Sequence, residues 1–389
     1  MTISKRKINW MKLSPWLYTI GMFLFWELAC KAFSIPVYFL PPPSVILQAF
    51  SEFRVALWEN SIQTLWTTIV GFGIAGLNYA EQLRQHNRKF IVLAPKEECA
   101  SKLAAGIINP TVLKRFNSVW KSDKFLNYAL AHYNELQDLV QTKIIHRTPI
   151  LRIINNKREQ NEWVSACSKP FLKNYLNNNF ISGENYNGIK APYNYGEVKK
   201  SAKVDNAALI YSYQKKIISN QYIDCRMDHA KLEFNTEGIL YKGIQAKKIV
   251  FCEGFHNVKN PFFNYLPLVG SKGEMLIIKC DRLTDKVIFK GPIFLSPIGE
   301  KKFWVGATFD RQDKTTFITK KGNEWLLSKL DKFLNLPYQI LEHKAQIRAT
   351  VIDRRPLLGI HPLNNRLFIL NGMGTRGVLM APLLSQWLY

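Results

Sequence analysis

The first pattern that can do chemistry is a set of three glycines, Gly71, Gly73 and Gly76, in the spacing G-x-G-x-x-G. Between a β-strand and an α-helix, the first glycine permits a tight turn and the second lets the backbone approach a pyrophosphate. The third lets helix and strand pack closely, and the helix N-terminus supplies free N–H groups to the phosphates. The spacing therefore predicts a dinucleotide-binding turn.

The residues around these glycines favour the same interpretation. Residues 65–70 are apolar and β-branched, residues 77–84 have apolar positions at helical spacing, and residues 90–93 form a second apolar run. Strand, glycine turn, helix and strand is the order that a βαβ nucleotide-binding unit requires. The alternative is a glycine-containing membrane helix.

One position departs from the nucleotide-binding pattern. The acidic residue that should close the second strand and bind the ribose of adenosine is replaced by Ala94. Glu97 and Glu98 lie just beyond and would substitute only if the loop shifts. We therefore expect the affinity for the dinucleotide to be weakened unless one of them takes over.

Other chemically active residue types are dispersed. The six cysteines form no C-x-x-C pair and have no metal-ligand spacing, so we expect reduced, mostly buried thiols and no metal site. The seven histidines have no zinc-type spacing either, and none is assigned to catalysis. No Ser-His-Asp set or carboxylate pair is visible.

The formal net charge of +24 suggests an anionic partner such as nucleic acid, a membrane surface or an acidic substrate. The lysines are scattered among Asn and Ile residues, however, so a biased composition explains the excess about as well. We do not expect a nucleic-acid partner, although that alternative stays open. The oligomeric state is not predicted.

The first 66 residues differ in character from the rest. A basic start leads into an uncharged stretch at residues 13–26, which Glu27 and Lys31 interrupt. This stretch is shorter than the ~20 residues of a membrane-spanning helix. A signal peptide is the alternative, although the cleavage site is poor. Membrane contact through residues 13–33 is therefore the most that we expect.

This segment resembles the beginning of inner-membrane permeases of the nitrate, sulfonate and taurine class of ABC importers. Residues 39–50 and 64–72 carry the resemblance. No long apolar run follows Leu77, so we do not expect transport. The resemblance implies that a permease-like segment, residues 1–66, is fused to another protein near residues 71–76.

From residue 67 to the end, the chain resembles the FAD-dependent D-amino-acid oxidase superfamily. The similarity is to its glycine oxidase and sarcosine oxidase branch and to the oxidase domain of bifunctional tRNA-modifying enzymes. After the glycine turn, five segments carry the resemblance in the family's order: 101–106, 249–254, 268–274, 345–359 and 370–378. Gln346 and Ala349 depart from the family's pattern.

The resemblance implies roles for particular residues. Ser101, Ala104 and Ala105 would lie along the flavin side of the pyrophosphate, and Gly254 would close over the adenine end. Arg348 would bind the carboxylate of the substrate; the alternative is a surface or ion-paired arginine. The closing loop would turn backbone N–H groups toward the pyrimidine edge of the flavin. The residues of that loop are Gly372, Gly374, Thr375 and Gly377.

The implied fold is α/β (α+β), with a Rossmann-like FAD-binding domain, a mainly antiparallel substrate domain and an extra N-terminal hydrophobic helical segment. The discontinuous FAD-binding domain would comprise 67–145, 200–262 and 345–389. The substrate domain would comprise 146–199 and 263–344. The chain ends at Tyr389 inside the implied last helix, so we expect that helix to be truncated.

The implied function is FAD-dependent oxidation of the C–N bond of an amine or amino acid to an imine, with oxygen as the expected acceptor. Such a protein must mainly bind and orient its substrate and exclude water, because the cofactor carries the difficult step. We expect it in the cytoplasm, with a possible tether to the inner membrane. The alternatives are an oxidase acting on a modified tRNA base and a non-enzymatic membrane-permease fragment.

Overall fold

The computed structural model describes residues 10–33, 41–52, 66–97 and 99–389. The chain divides into two compact units, Met1–Thr64 and Leu65–Tyr389. The described part of the first unit contains two helices, α1 (Trp10–Ala32) and α2 (Pro43–Glu52). Within the described ranges, no helix is both long and apolar enough to cross a membrane.

A carboxylate joins the two helices of the first unit. Glu27 of α1 accepts hydrogen bonds from the backbone N–H of Ser44 at 2.9 Å and from its hydroxyl at 2.7 Å. The same carboxylate pairs with Lys31, one turn further along, at 2.9 Å. Glu27, which interrupts the apolar stretch in the sequence, therefore connects α1 to the start of α2.

The second unit contains two large sheets and two small ones. Its helices are α3 (Ile74–Gln85), α4 (Ala100–Leu103), α5 (Ser122–Val140), α6 (Lys157–Cys167), α7 (Asn206–Lys216), α8 (Lys320–Leu330) and α9 (Gly377–Leu388). Its strands are β1 (Trp66–Val70), β2 (Phe90–Ala94), β3 (Ile107–Ile108), β4 (Thr111–Val112), β5 (Asn117–Ser118), β6 (Ile145–His146), β7 (Ile150–Ile153), β8 (Tyr195–Val198), β9 (Ala202–Val204), β10 (Tyr222–Asp224), β11 (Leu232–Phe234), β12 (Ile239–Tyr241), β13 (Ile244–Phe251), β14 (Ser271–Lys279), β15 (Ile288–Lys290), β16 (Phe294–Gly299), β17 (Lys302–Gly306), β18 (Gln339–Arg348), β19 (Leu357–His361) and β20 (Asn364–Asn371).

The first large sheet has a parallel centre, in which β10, β2, β1, β13 and β20 lie side by side. Its strand β2 is a continuous buried apolar run because both faces of the sheet are covered there. One face packs on α3, α5, α7 and α9, and the other lies under the antiparallel meander that β11 and β12 form with β13. The predicted strand, glycine turn, helix and strand are β1, residues 71–73, α3 and β2. That part of the prediction is confirmed.

The second large sheet has the strand order β18-β14-β17-β16-β15-β7-β8. All its pairs are antiparallel except that of β15 with β7. One face packs against α8 through an apolar cluster that includes Leu276, Phe289 and Val305. The opposite face of the sheet does not contribute to this cluster.

The fold is mixed α/β with sheets of mixed orientation, as expected. The proposed domain boundary at residue 345 falls inside β18, whose residues as far as Arg348 pair with β14. The cysteines of the described residues form no disulfide bond, and Cys30, Cys167, Cys252 and Cys280 are buried.

Candidate active site

A cavity of about 930 Å³ opens where the parallel strands end. Val70, Ala94 and Cys252, which end β1 and β2 or directly follow β13, line it on one side. Met275 and Gly306 of the seven-stranded sheet line it on the other. A crevice at the carboxyl ends of parallel strands is the usual ligand site of such sheets. All the predicted site residues except Gly76 line this cavity.

The glycine turn has the geometry that its sequence predicts. Gly71 has φ +94°, and its N–H donates to Leu93 of β2 at 2.9 Å. A Cβ at Gly71 would lie 2.5 Å from the carbonyl oxygen of Cys252, and one at Gly76 would lie 2.1 Å from that of Gly71. Gly73 caps the N-terminus of α3 at the cavity wall. Gly76 therefore packs the helix against the turn, whereas Gly71 and Gly73 shape the cavity.

Ser101 lies against the start of α3. Its hydroxyl accepts a hydrogen bond from the N–H of Ile74 at 3.0 Å. Cys99 is the N-cap of α4, and Ser101 lies inside that helix. Ala104 and Ala105 continue along the cavity wall. A hydroxyl both donates and accepts, so Ser101 can also donate to an anion at this helix N-terminus.

Acidic and basic side chains both lie at the end of the cavity beside β2. Ala94 is buried at the end of β2. Glu97 lines the cavity, and its carboxylate pairs with Arg226 at 2.6 Å. Glu98 lies outside the described residues. Gly254, with φ +59°, begins a short 3-10 helix directly after Glu253. Glu97 is therefore the acidic side chain that the structure places near the missing ribose-binding acid.

Two N–H groups of the closing loop donate hydrogen bonds within the chain. Gly372, Gly374, Thr375 and Gly377 all line the cavity. However, the N–H of Gly372 donates to its neighbour Asn371 at 2.8 Å, and that of Gly374 donates to Ala349 at 2.8 Å. These two N–H groups therefore have acceptors within the chain, and the orientation of the loop's N–H groups toward the flavin stays a prediction. Both glycines have positive φ, so their role here is to form the tight loop.

Arg348 is the last residue of β18 and pairs with Ser271 of β14. Its guanidinium lies over Gly273, where a Cβ would be 2.0 Å from Nη2. Nη1 donates to the carbonyl of Thr308 at 3.3 Å, and burial lowers the pKa of the guanidinium. No carboxylate of the described chain forms an ion pair with it. Arg348 is thus a half-buried cation that faces the cavity without a charged partner among the described residues, unlike the alternative of a surface or ion-paired arginine.

Lys290 and Arg376 are among the cations of this cavity that the sequence missed. Arg376 donates to the carbonyls of Asn109 at 3.1 Å and Thr111 at 3.4 Å. Burial, with a smaller contribution from Arg354, lowers the pKa of Arg376 to about 10. The sequence feature that could have identified Arg376 is its position directly after Thr375 in the closing loop. Lys290 had no such signal, because only strand pairing brings it to the cavity.

These residues fit FAD. The α3 N-terminus, the Ser101 hydroxyl and the space beside Gly73 form a cradle for a pyrophosphate, since a Cβ at Gly73 would lie 2.7 Å from Ser101 Oγ. Lys and Arg outnumber Glu among the lining residues, which suits a dianionic pyrophosphate. Glu97 and Gly254 lie at the end suited to the adenosine. The cavity then continues to Arg348 on the seven-stranded sheet.

The chain belongs to the family described as FAD dependent oxidoreductase (DAO), which matches residues 67–389. It is therefore an FAD-dependent oxidoreductase, and FAD is its cofactor. The match begins at residue 67, so it gives no support to a permease fusion in residues 1–66.

Two curated relatives share shorter stretches. Both are named tRNA 5-methylaminomethyl-2-thiouridine biosynthesis bifunctional protein MnmC. The chain is 27% identical over 164 residues to the one from Marinobacter nauticus, which covers 38% of this chain and 26% of the relative. It is 36% identical over 88 residues to the one from Caulobacter vibrioides, which covers 21% of this chain and 15% of the relative. The chain therefore spans about a quarter of the curated relative that it matches furthest.

Solved structures with the same fold include two oxidases. Glycine oxidase from Geobacillus kaustophilus superposes with a TM-score of 0.68 at 16% identity, over 82% of this chain and 92% of that one. Iminodiacetate oxidase from Chelativorans sp. BNC1 gives 0.68 at 18% identity, over 83% and 94%. At these identities the likeness establishes the fold.

Proposed function

We propose that the chain oxidises the C–N bond of an amine that carries a carboxylate, giving an imine, with oxygen as electron acceptor. The observation that carries this proposal is Arg348, a half-buried cation without an ion-pair partner among the described residues, in the same cavity as the glycine turn. A guanidinium is a planar fork that binds a carboxylate through two parallel hydrogen bonds. An amino acid is the simplest substrate that offers this group next to an amine.

The surroundings of Arg348 support a binding role. A partly desolvated guanidinium without a charged partner costs free energy, so its position at the cavity wall favours a ligand that supplies the charge. The guanidinium occupies the space above β14 at Gly273. Any side chain at position 273 would overlap the guanidinium. The hydrogen bond to Thr308 fixes one of its nitrogens.

The protein's own contribution to the reaction is mainly positional. FAD, when bound, supplies the hydride acceptor for the carbon beside the amine nitrogen. Arg348 would hold the carboxylate and thereby fix the neighbouring carbon, and orientation of this kind can supply several kcal/mol of the barrier reduction, about 7 in favourable cases. The closing loop and the seven-stranded sheet line the space in which this would happen. No acid–base residue is required for this role.

Substitution of Arg348 tests the proposal. Loss of a buried charged contact costs roughly 2 to 5 kcal/mol, so Arg348→Ala should raise the amino-acid concentration for half-maximal flavin reduction well over tenfold. The FAD content, measured by absorbance, should not change. Arg348→Lys should restore part of the affinity, and the exposed neighbour in Arg355→Ala should leave it unaltered. Normal turnover of amino acids by Arg348→Ala would refute the carboxylate role.

A second candidate keeps the chemistry but changes the substrate to a modified tRNA base. The two curated relatives named for tRNA 5-methylaminomethyl-2-thiouridine biosynthesis and the net charge of +24 favour it. Binding to a polyanion weakens steeply as salt rises. Salt-dependent reduction of the flavin by tRNA, with free amino acids inactive, would select this candidate over the first.

A further inference from the structure

Lys290 is a second cation of the cavity that no part of the proposed reaction uses. It ends β15 and lines the cavity with its neighbours Pro292 and Phe294. Its ammonium donates to the carbonyls of Gly291 at 2.8 Å and Pro292 at 3.3 Å. Both acceptors are neutral, and no carboxylate in the described ranges forms an ion pair with Lys290. Its charge is therefore uncompensated by the protein.

Strand pairing fixes the direction of the Lys290 side chain. Lys290 pairs with Phe294, Phe294 pairs with Gly306, and Gly306 pairs with Met275, so one row crosses β15, β16, β17 and β14. Directly paired residues lie on the same face of a sheet. All of this row lines the cavity, whereas Phe289 and its partner Leu295 point to the apolar core on the opposite face.

The same row continues to another cation. Arg152 of β7 pairs with Lys290, and its guanidinium stacks on the Phe116 ring at 4.8 Å. Its ion pair with Glu159 is long, at 3.9 Å. Burial, then Arg152 and then Lys114, lower the pKa of Lys290 to about 8. The protein thus keeps like charges together at a partly buried place, which costs free energy unless an anion binds there.

We propose that Lys290, with Arg152 behind it, binds a second anionic group at the far end of the substrate. This inference rests on the proposed function, because it takes Arg348 as the site of the first carboxylate. A lysine ammonium is a point charge that suits phosphate or carboxylate without the geometry of a fork. The ligand would be an amine with a carboxylate at one end and a phosphate or second carboxylate at the other.

The spacing of the strands sets the size of that ligand. Arg348 lies on β18 and Lys290 on β15, with β14, β17 and β16 between them. At about 4.8 Å per strand the two strands are roughly 19 Å apart. Both side chains extend into the cavity and shorten this gap, but glycine cannot contact both cations. The site therefore selects an extended substrate, and a small amino acid would use only Arg348.

The test compares N-alkylglycines whose alkyl chain ends in a phosphonate, a carboxylate or a neutral hydroxyl, at several chain lengths. Flavin reduction of the FAD-loaded protein without oxygen gives the apparent affinity for each. Hydrogen bonds to charged groups contribute about 1.5–3 kcal/mol, which is roughly tenfold or more in affinity. We expect the long anionic compounds to bind at least that much more tightly than the hydroxyl compounds of equal length. Lys290→Gln should abolish the preference, and Lys286→Gln, at an exposed lysine before β15, should keep it.

Two results would overturn the proposal: a wild-type protein without preference for the anionic compounds, or a preference that survives Lys290→Gln. Relative affinity of phosphonate and carboxylate compounds identifies which anion the site prefers. If no N-alkylglycine reduces the flavin, the proposed function fails, and calorimetric binding of the long phosphonate decides the site separately. Binding that Lys290→Gln weakens would still support the anion site, whereas no binding, or unchanged binding, would remove it.

Discussion

The two walls of the cavity are built in different ways. The cofactor wall consists of turns at the ends of β1 and β13, where Gly71 and Gly254 adopt positive φ and the backbone comes close to the ligand space. The substrate wall is a flat sheet face, where Arg348 and Lys290 extend from paired strands. In the proposed function, one wall would bind its ligand through the backbone and the other through charged side chains.

This difference has a physical consequence for specificity. Backbone N–H groups and glycine turns tolerate few substitutions, because any Cβ occupies the space of the ligand or of another backbone segment. Side chains on a sheet face can change without disturbing the strand pairs beneath them. A substitution in the cofactor wall should therefore abolish FAD binding. A substitution in the substrate wall should remove only one contact with the substrate.

The largest expected effect is on the cofactor wall. Gly73→Val places a branched side chain at the cavity wall, where even a Cβ would lie 2.7 Å from Ser101 Oγ. We expect purified protein without bound flavin, measured by absorbance, but with the circular dichroism of the parent. Gly21→Val, which meets nothing within 4 Å, should keep its flavin. A fully yellow Gly73→Val protein would show that the pyrophosphate lies elsewhere.

A smaller effect on the same wall concerns the ribose end. Glu97 lines the cavity where Ala94 replaces the expected acid, and its carboxylate is held by Arg226 at 2.6 Å. A hydrogen bond to a charged group contributes about 1.5–3 kcal/mol, so Glu97→Gln should weaken FAD binding by roughly tenfold or more. Fluorescence titration of the flavin measures the constant, with the exposed Glu237→Gln as control. Equal constants for all three proteins would exclude Glu97 from FAD binding.

The smallest effect lies beneath the cofactor wall, in its core. Burial in α5 lowers the pKa of His132 to about 4, and its Nε2 has no hydrogen-bond partner among the described residues. Because the unfolded state takes up this proton first, the stability contributed by neutral His132 is present above about pH 6.5 and is lost as pH falls toward 4. The loss is at most about 3 kcal/mol at one pKa unit per 1.4 kcal/mol.

Urea unfolding of His132→Phe at several pH values checks this prediction. The variant should lose less stability than the parent between about pH 6.5 and 4. The exposed histidine in His86→Phe serves as the control and should follow the parent. Parallel pH profiles for parent and His132→Phe would mean that His132 is not held neutral in the folded state.

The two walls also explain what the sequence could and could not predict. The glycine turn is local, so its spacing and the flanking strands predicted a dinucleotide-binding turn at Gly71 and Gly73, and the family resemblance supplied FAD as the dinucleotide. The Arg348 prediction needed the resemblance to a family, because a single arginine carries no pattern. The position of Lys290 at the cavity could not be predicted from the sequence. The direction of its side chain depends on pairing with Phe294 and Arg152, and Arg152 is far away in sequence. The acceptor of the Gly374 N–H group, Ala349, could not be predicted either, because tertiary structure brings it to the loop.

The most direct test of the account is anaerobic flavin reduction by the full chain loaded with FAD. Each N-alkylglycine is compared with the matching amine that lacks the carboxylate, at equal concentration. If Arg348 binds the carboxylate, the N-alkylglycine bleaches the flavin and the amine without the carboxylate does so far more slowly. Only the former offers Arg348 a carboxylate. Equal bleaching by both members of each pair, or none by either while FAD stays bound, would contradict the account.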